Sequence, residues 1–474
     1  MKGRRVSGVL GIAAVALIAA TRAWSITDEE AWQSLRFHPP IPGARAAAMG
    51  GAGLALVDDP GASAANPARL AAISHEMIFF EGQFENPGGT RSADEEYLDA
   101  SVNPLATTRL DSTASASIGF TPAFLGYARP FRLLDRPLVV AGSRTQWLDL
   151  DSRALSTTRT TPLATLPTPG AGDEVVRISR SDLDLSVEVW SASAGWRLSP
   201  TFAVGAGLQL ARLSLSSQSV GFLADPLQFT GPGMVDPTFA SSTAVPLIET
   251  HSDGSDTAPG LSFGAWWKPH PALSVASVYR PGARFEVEAS AFDHLNGTSS
   301  SFENRVRLPD AAVVGVAWTP LRRSVSGLAQ SLTVALDIER FSAGDIAEGM
   351  VAGRSIQTSA QFAGSSAYTL DDAIEVRAGA EMRTSFPGWV LSMRGGIYTE
   401  HETRPALARL SGDTGALTGQ SAALERAGFL AAGGTEPHLT LGAGARFHAL
   451  SCDLALDIAD PGTRVVVSAS WSRR

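Results

Sequence analysis

From residue 75 onward the sequence repeats with a period of two, and a sustained period of 3.6 is almost absent. Leu183, Leu185, Val187 and Val189 alternate with Asp182, Asp184, Ser186 and Glu188. Leu332, Val334, Leu336 and Ile338 alternate with Thr333, Ala335, Asp337 and Glu339. Ile374, Val376, Ala378 and Ala380 alternate with Glu375, Arg377, Gly379 and Glu381, and the same pattern runs from Leu439 to Phe447. Each run therefore has one apolar face and one polar, often charged, face.

Alternation alone leaves two architectures open. A soluble sandwich points the apolar faces at each other; a membrane barrel points them at lipid and encloses the polar faces. Three features select the barrel. The runs at 201–217, 272–290, 303–319 and 371–386 exceed the ordinary strand of about five or six residues, and about ten residues suffice to cross a bilayer at a tilt. Short turns near 131–136, 198–200, 269–271, 386–388 and 450 alternate with long connections near 87–112, 150–173, 218–257, 343–370 and 401–436; the middling connection around 320–330 fits this alternation least. Trp147, Trp196, Trp266, Trp267, Tyr279, Trp318, Trp389, Tyr398 and Trp471 lie mostly where runs meet turns, as interfacial girdles do. The expected fold is all-β: a transmembrane antiparallel up-and-down β-barrel of about fourteen strands, with an N-terminal plug, or hatch, inside the lumen.

The only long apolar run, Val6 to Ala20, follows Lys2, Arg4 and Arg5 and precedes Ala23-Trp24-Ser25. It reads as a secretory signal over residues 1–25, followed by a hatch over 26–74 and a barrel over 75–474. A mean hydropathy of +0.05 is too low for a bundle of membrane helices. Loss of residues 1–25 removes four basic side chains and no acidic one, taking the formal charge from −9 to −13. That balance argues against nucleic acid as a partner. The single cysteine, Cys452, forms no internal disulfide, and no Cys/His cluster has metal-ligand spacing. No His-Glu-x-x-His helix or glycine-rich phosphate loop is present. The expectation is a protein without cofactor, metal or enzymatic activity, placed in a Gram-negative-type outer membrane.

Residues 26–74 do not alternate. A possible short helix, Asp28 to Phe37, precedes a stretch of small residues with Leu54, Leu56, Val57, Leu70 and Ile73 available for packing. The stretch from Gly43 to Ala71, GARAAAMGGAGLALVDDPGASAANPARLA, resembles the N-terminal hatch of the FadL/TodX family of outer-membrane transporters for long-chain fatty acids and other hydrophobic compounds. Gly50, Gly51, Asp58, Asp59, Asn66, Pro67, Ala68 and Leu70 fall on the family pattern, with Arg69 replacing its usual glycine. Gly260 to Pro281, Leu308-Pro309-Asp310, Gly315 to Trp318 and the final hairpin from His438 are similar to family segments too. One departure is the end of the chain, where Ser472-Arg473-Arg474 follow the aromatic Trp471 that insertion machinery would read.

The resemblance implies passive uptake of hydrophobic small molecules such as a fatty acid, with capture outside and exit sideways through the barrel wall. The implied partners are outer-membrane lipid, the hydrophobic solute and the barrel-insertion machinery. Gly142-Ser143 is a candidate for the wall bend, since a strand glycine often marks a bulge. The loop at 218–257 is a candidate for capture, because Phe222, Leu223, Leu227, Phe229, Met234, Phe239, Leu247 and Ile248 give it an apolar surface. Asp182, Asp184, Glu188, Glu286, Glu288, Asp337, Glu339, Glu375, Arg377, Glu381, Arg394 and Arg446 are expected to line the lumen. The alternative is a non-transporting scaffold like the PorV-type barrels, which share a similar start.

Overall fold

The computed structural model describes residues 41–85, 89–98, 104–116, 119–162, 175–223, 245–293, 297–325, 328–342, 353–355, 361–362, 368–369, 372–401, 406–407, 435–459 and 463–473. The expected signal and the helix at 28–37 lie outside them.

Among the described residues, fourteen strands close into one antiparallel barrel. Strand β1 comprises Glu76–Glu85 and Gly89–Leu98, and β2 comprises Pro104–Ala116 and Gly119–Leu133. Then come β3 (Arg136–Pro162), β4 (Val175–Ser199), β5 (Phe202–Leu223) and β6 (Val245–His270). Two further interrupted strands are β7 (Leu273–Arg280 and Arg284–Asp293) and β8 (Thr298–Arg307 and Ala311–Val325). The remainder are β9 (Leu328–Phe341), β10 (Ala373–Phe386), β11 (Trp389–His401), β12 (Thr435–Phe447), β13 (Leu450–Ile458) and β14 (Thr463–Arg473). Each strand pairs with the next, and β14 returns to β1 from Glu76↔Arg473 to Glu85↔Arg464. Closure leaves no sheet edge with unpaired backbone groups, which is what hydrocarbon demands. Among the described residues no helix is long and apolar enough to cross a membrane.

The tight turns gather at the end of the barrel where the chain enters and leaves it. Leu134 and Asp135 adopt φ values of 50° and 62°, the mirror-image turn that suits right-twisted strands. Gly388, at φ 86°, follows Pro387 in the turn between β10 and β11. Around 320–330, expected as a middling connection, β8 and β9 stay paired as far as Val325↔Leu328, with a bulge between Trp318 and Leu321. At the other end the strands outrun expectation. β3, β4 and β6 have 27, 25 and 26 residues. Much of 87–112 and 150–173, expected to be loop, is therefore paired strand standing beyond the bilayer.

The two faces of this wall exchange character along its height. In a belt around the barrel the apolar side chains point outward: Tyr127, Trp190, Leu208, Phe263, Leu336 and Ile397 are all exposed. On β9, β10 and β12 this is the arrangement the alternation suggested. Above the belt the arrangement inverts. Along β4, Trp190 faces outward, but Leu183, Leu185, Val187 and Val189 face inward and are buried, while Asp184 faces out. Along β5, Leu208 and Leu210 face out, then Arg212, Ser214 and Ser216 take over that face while Leu213 and Leu215 turn inward. An Arg or Lys in the middle of the lipid belt would cost about 2–4 kcal/mol and an acidic side chain less, but still a penalty, so the change from Trp190 to Glu188 marks the belt's upper edge. Asp182, Asp184, Glu188, Glu286 and Glu288 accordingly lie on the outer face, correcting their expected place in the lumen. Asp337, Glu339, Glu375, Arg377, Glu381 and Arg394 do line it, whereas Arg446 is exposed. Of the expected girdle, Trp267, Tyr279, Trp318 and Trp471 are exposed, but Trp266 and Tyr398 point inside.

Candidate functional site

Inside the upper barrel, inward side chains of β4 to β10 form one apolar lining. Leu185, Val187, Leu213, Phe285, Leu308 and Phe341 belong to it, all buried. Trp147 and Leu148 of β3 pack against its flank. Directly below, at the next inward positions of β7, β9 and β10, lies a set of buried ions. Arg280 Nη2 is 3.0 Å from Glu339, and Arg377 Nη2 is 2.6 Å from Glu339 and 2.7 Å from Glu375. Buried charges persist only when paired; here two guanidiniums meet two carboxylates.

Below these ions sits the N-terminal segment, residues 41–75. It comprises two single-turn helices, α1 (Ala44–Ala47) and α2 (Ala62–Ala65), and a 3₁₀ helix over Pro67–Ala72. Its small residues let its backbone lie flush against inward glycines of the wall. A Cβ on Gly205 would overlap Pro67, and one on Gly379 or Gly396 would overlap Met49. Gly50 and Gly51 turn the chain at φ 65° and 74°, a region few other residues adopt.

Each motif residue has a physical role in this packing. Asn66 Oδ1 accepts from Ala68 N at 3.0 Å, capping the 3₁₀ helix, while Nδ2 donates to the wall carbonyls of Ala265 and Ser277 at 3.2 and 3.3 Å. Pro67 opens that helix, where its missing N–H costs nothing. Ala68 and Leu70 are fully enclosed. Asp58 pairs with Arg45 at 3.0 Å, and Arg45 grips Glu381 of β10 with two parallel bonds of 2.9 and 2.8 Å. Asp59 Oδ1 accepts from Gly61 N at 2.8 Å. Burial, and then the neighbouring Asp58, push the Asp59 carboxyl up to about 7. Arg69, at the position of the family's glycine, is buried; its Nε donates to Val57 O at 2.9 Å, and its guanidinium lies over Trp266. Burial lowers its pKa to about 10, which leaves it charged. The wall answers with Asp337 Oδ2, which accepts from Gly53 N and Leu54 N at 2.9 and 2.8 Å.

Among the described residues, the wall's ladder lapses between β6 and β7, where no pair joins 253–262 to 280–288, and over a shorter stretch between β2 and β3. The β2–β3 ladder runs from Leu133↔Arg136 to Phe124↔Thr145 and resumes at Ala116↔Ser152. Among the described residues no ladder pair joins 119–123 to 146–151. Pro122 has no N–H to offer there. The pairing of β1 with β2 skips Ala123, and the pairing of β3 with β4 skips Trp147.

At the candidate wall bend, Gly142 and Ser143, the strand shows no register shift, and Gly142 sits between Tyr127 and Ala192. Ser143 binds the inner segment, its Oγ 2.7 Å from Ser63 Oγ. A register shift lies a few residues further on, at Trp147. Of the expected capture loop, Leu227, Phe229, Met234 and Phe239 lie outside the described residues. Phe222 and Leu223 belong to β5, and Leu247 and Ile248 to β6, paired as Gly221↔Ile248 and Leu223↔Val245; they extend the wall rather than a loop. Gly260-Leu261-Ser262-Phe263-Gly264 has the spacing of a nucleophile elbow. It runs as paired strand within β6, with no strand-to-helix turn, and Ser262 Oγ has no hydrogen-bond partner.

Solved structures share this architecture. A Pseudomonas aeruginosa FadL homologue matches with a TM-score of 0.56 at 15% identity, over 92% of this chain and 99% of that one. The Ralstonia pickettii toluene transporter TbuX matches with 0.52 at 14% identity, over 93% and 100%. The P. putida toluene transporter TodX matches with 0.51 at 14% identity, over 92% and 100%. No protein-family model and no curated protein matches the chain. At such identities the shared property is the fold.

Proposed function

We propose that this chain is an outer-membrane transporter for passive uptake of hydrophobic small molecules, long-chain fatty acids or neutral hydrocarbons among them. The observation that carries this reading is the apolar lining above the inner segment, which meets Trp147 and Leu148 where the β2–β3 ladder is interrupted. A solute entering from the end of the long connections leaves water for that lining. It cannot continue straight down, because residues 41–75 occupy the lumen as a hatch. The seam offers a sideways exit at the upper edge of the lipid belt. A solute that buries about 150 Å² of apolar surface there gains roughly 4 kcal/mol, the equivalent of about millimolar affinity. That is weak enough for release. Residues 1–25 act as the export signal and are lost on secretion. The fold shared with hydrocarbon and FadL-type transporters agrees with this reading.

A second reading, a non-transporting scaffold, draws on the ion pairs that hold the hatch, Arg45–Glu381 above all. Uptake by proteoliposomes of a fluorescent fatty acid and of a neutral aromatic tracer decides between the two. Transport predicts entry faster than into protein-free vesicles for at least one tracer; equal rates for both favour the scaffold.

A further inference from the structure

We propose that Arg144 is a releasable latch across the β2–β3 seam and sets the rate at which solute passes through it. The inference rests on the transport reading above and concerns its control. Where the backbone ladder lapses, two side-chain bridges replace it. Arg144 of β3 donates from Nη1 to the carbonyl of Pro122 on β2 at 2.6 Å. Thr121 of β2 donates to Asp149 of β3 at 3.0 Å.

The partners of Arg144 make the first bridge reversible. Its Nη2 donates to Gln146 at 2.6 Å, and its Nε to Glu188 on β4. A guanidinium offers five donors in a fixed plane. When Nη1 lets go of Pro122, the charge keeps a carboxylate and an amide and is never stranded. Opening a normal stretch of ladder would instead strand several backbone groups beside hydrocarbon. The Pro122 carbonyl is bound by a side chain able to swing, and the Pro122 nitrogen has nothing to lose.

Position fits the role. Arg144 is cross-strand partner of Trp190, which faces outward at the belt's edge. Trp147 and Leu148, three and four residues on, pack against the apolar lining. The seam thus has a polar clasp outside and an apolar approach inside. Gln146 and Glu188 hold the guanidinium ready to rebind after a solute has passed.

The test uses full-length protein in proteoliposomes, with Cys452→Ser as background and the neutral aromatic tracer as probe. Arg144→Gln is expected to speed uptake about tenfold, the rate equivalent of one hydrogen bond to a charged group, with Arg144→Lys between it and wild type. Thr121→Cys combined with Asp149→Cys places two thiols where side chains already touch. Oxidation is expected to bring uptake down to the protein-free rate, and reduction to restore it. Heat-modifiable electrophoretic mobility checks folding; if Arg144→Gln fails to fold, the cysteine pair still decides. Wild-type uptake above the protein-free rate with no effect of the oxidised pair overturns the latch and the exit through this seam, and leaves uptake itself standing. An unchanged rate in folded Arg144→Gln overturns the latch alone. Wild-type uptake of neither tracer overturns the latch and the transport reading together.

Discussion

Leu185 and Trp190 lie five residues apart on one strand and face opposite sides of the same wall, Leu185 buried inside the barrel and Trp190 exposed outside it. Between them the barrel changes from a surface made for lipid to a cylinder with an apolar interior and a wet exterior. Neighbouring positions above this level should therefore respond oppositely to one substitution. Leu213→Glu puts a carboxylate among apolar side chains, where desolvation is costly. Uptake of a hydrophobic tracer is expected to fall by about tenfold or more, the effect of a single unfavourable interaction in the path. Ser214→Glu faces water and should leave uptake unchanged. Equal effects at the two positions would contradict the inward orientation of Leu213.

Arg45 is the main ionic tie between hatch and wall. Arg45→Ala leaves Glu381 with Arg394, 2.9 Å away, so the loss is expected at about 1–3 kcal/mol, a charged hydrogen bond rather than a fully stranded ion. The hatch should loosen and small-ion conductance in planar bilayers should rise. Adding Glu381→Gln should recover part of the lost stability, as expected for coupled partners.

Wall glycines distinguish close approach from mere tolerance. Gly205→Val would drive a side chain into Pro67, while a Cβ at Gly142 meets only Ser191 O, at 4.0 Å. The first variant should unseat the hatch, seen as lost protease protection of residues 43–73, and the second should not.

The pH response of the hatch follows from Asp59. Its folded carboxyl, at about 7, holds a proton more tightly than the ordinary value of 3.8. The stability it contributes is complete below about pH 4 and is lost as pH rises through about 7. Thermal scans of the detergent-solubilised protein between pH 4 and 8 should show hatch release at lower temperature as pH rises. Asp59→Asn, which cannot ionise, should flatten that slope; an unchanged slope would assign it to other groups.

The closed barrel was legible because alternation, strand length and loop rhythm all report the same constraint, a backbone satisfied within lipid. Val334, Leu336 and Ile338 were read onto the correct face since belt residues there fill most of the strand. Leu183 to Val189 were read onto the wrong face, because alternation separates two faces without naming them. A signal was present: along 183–196 the large apolar residues change from odd to even positions at Trp190 with no inserted residue. The hatch contacts of Asn66 and Pro67 came through as a motif, but their reason, glycines on distant strands, needs three dimensions. The register shift at Trp147 was not legible, since a bulge is set by the register of three strands and a lone Gly142 carries no register.

Site-directed spin labels in the Cys452→Ser background test the two-sided wall most directly. Power saturation with oxygen, which concentrates in lipid, and with a water-soluble nickel chelate should divide β4 and β5 into three groups. Labels at Trp190 and Leu208 should favour oxygen, labels at Asp184 and Ser216 should favour nickel, and labels at Leu185 and Leu213 should be shielded from both. Oxygen-favoured relaxation at Leu185 and Leu213, matching that at Trp190, would place the inner lining against lipid and contradict the account.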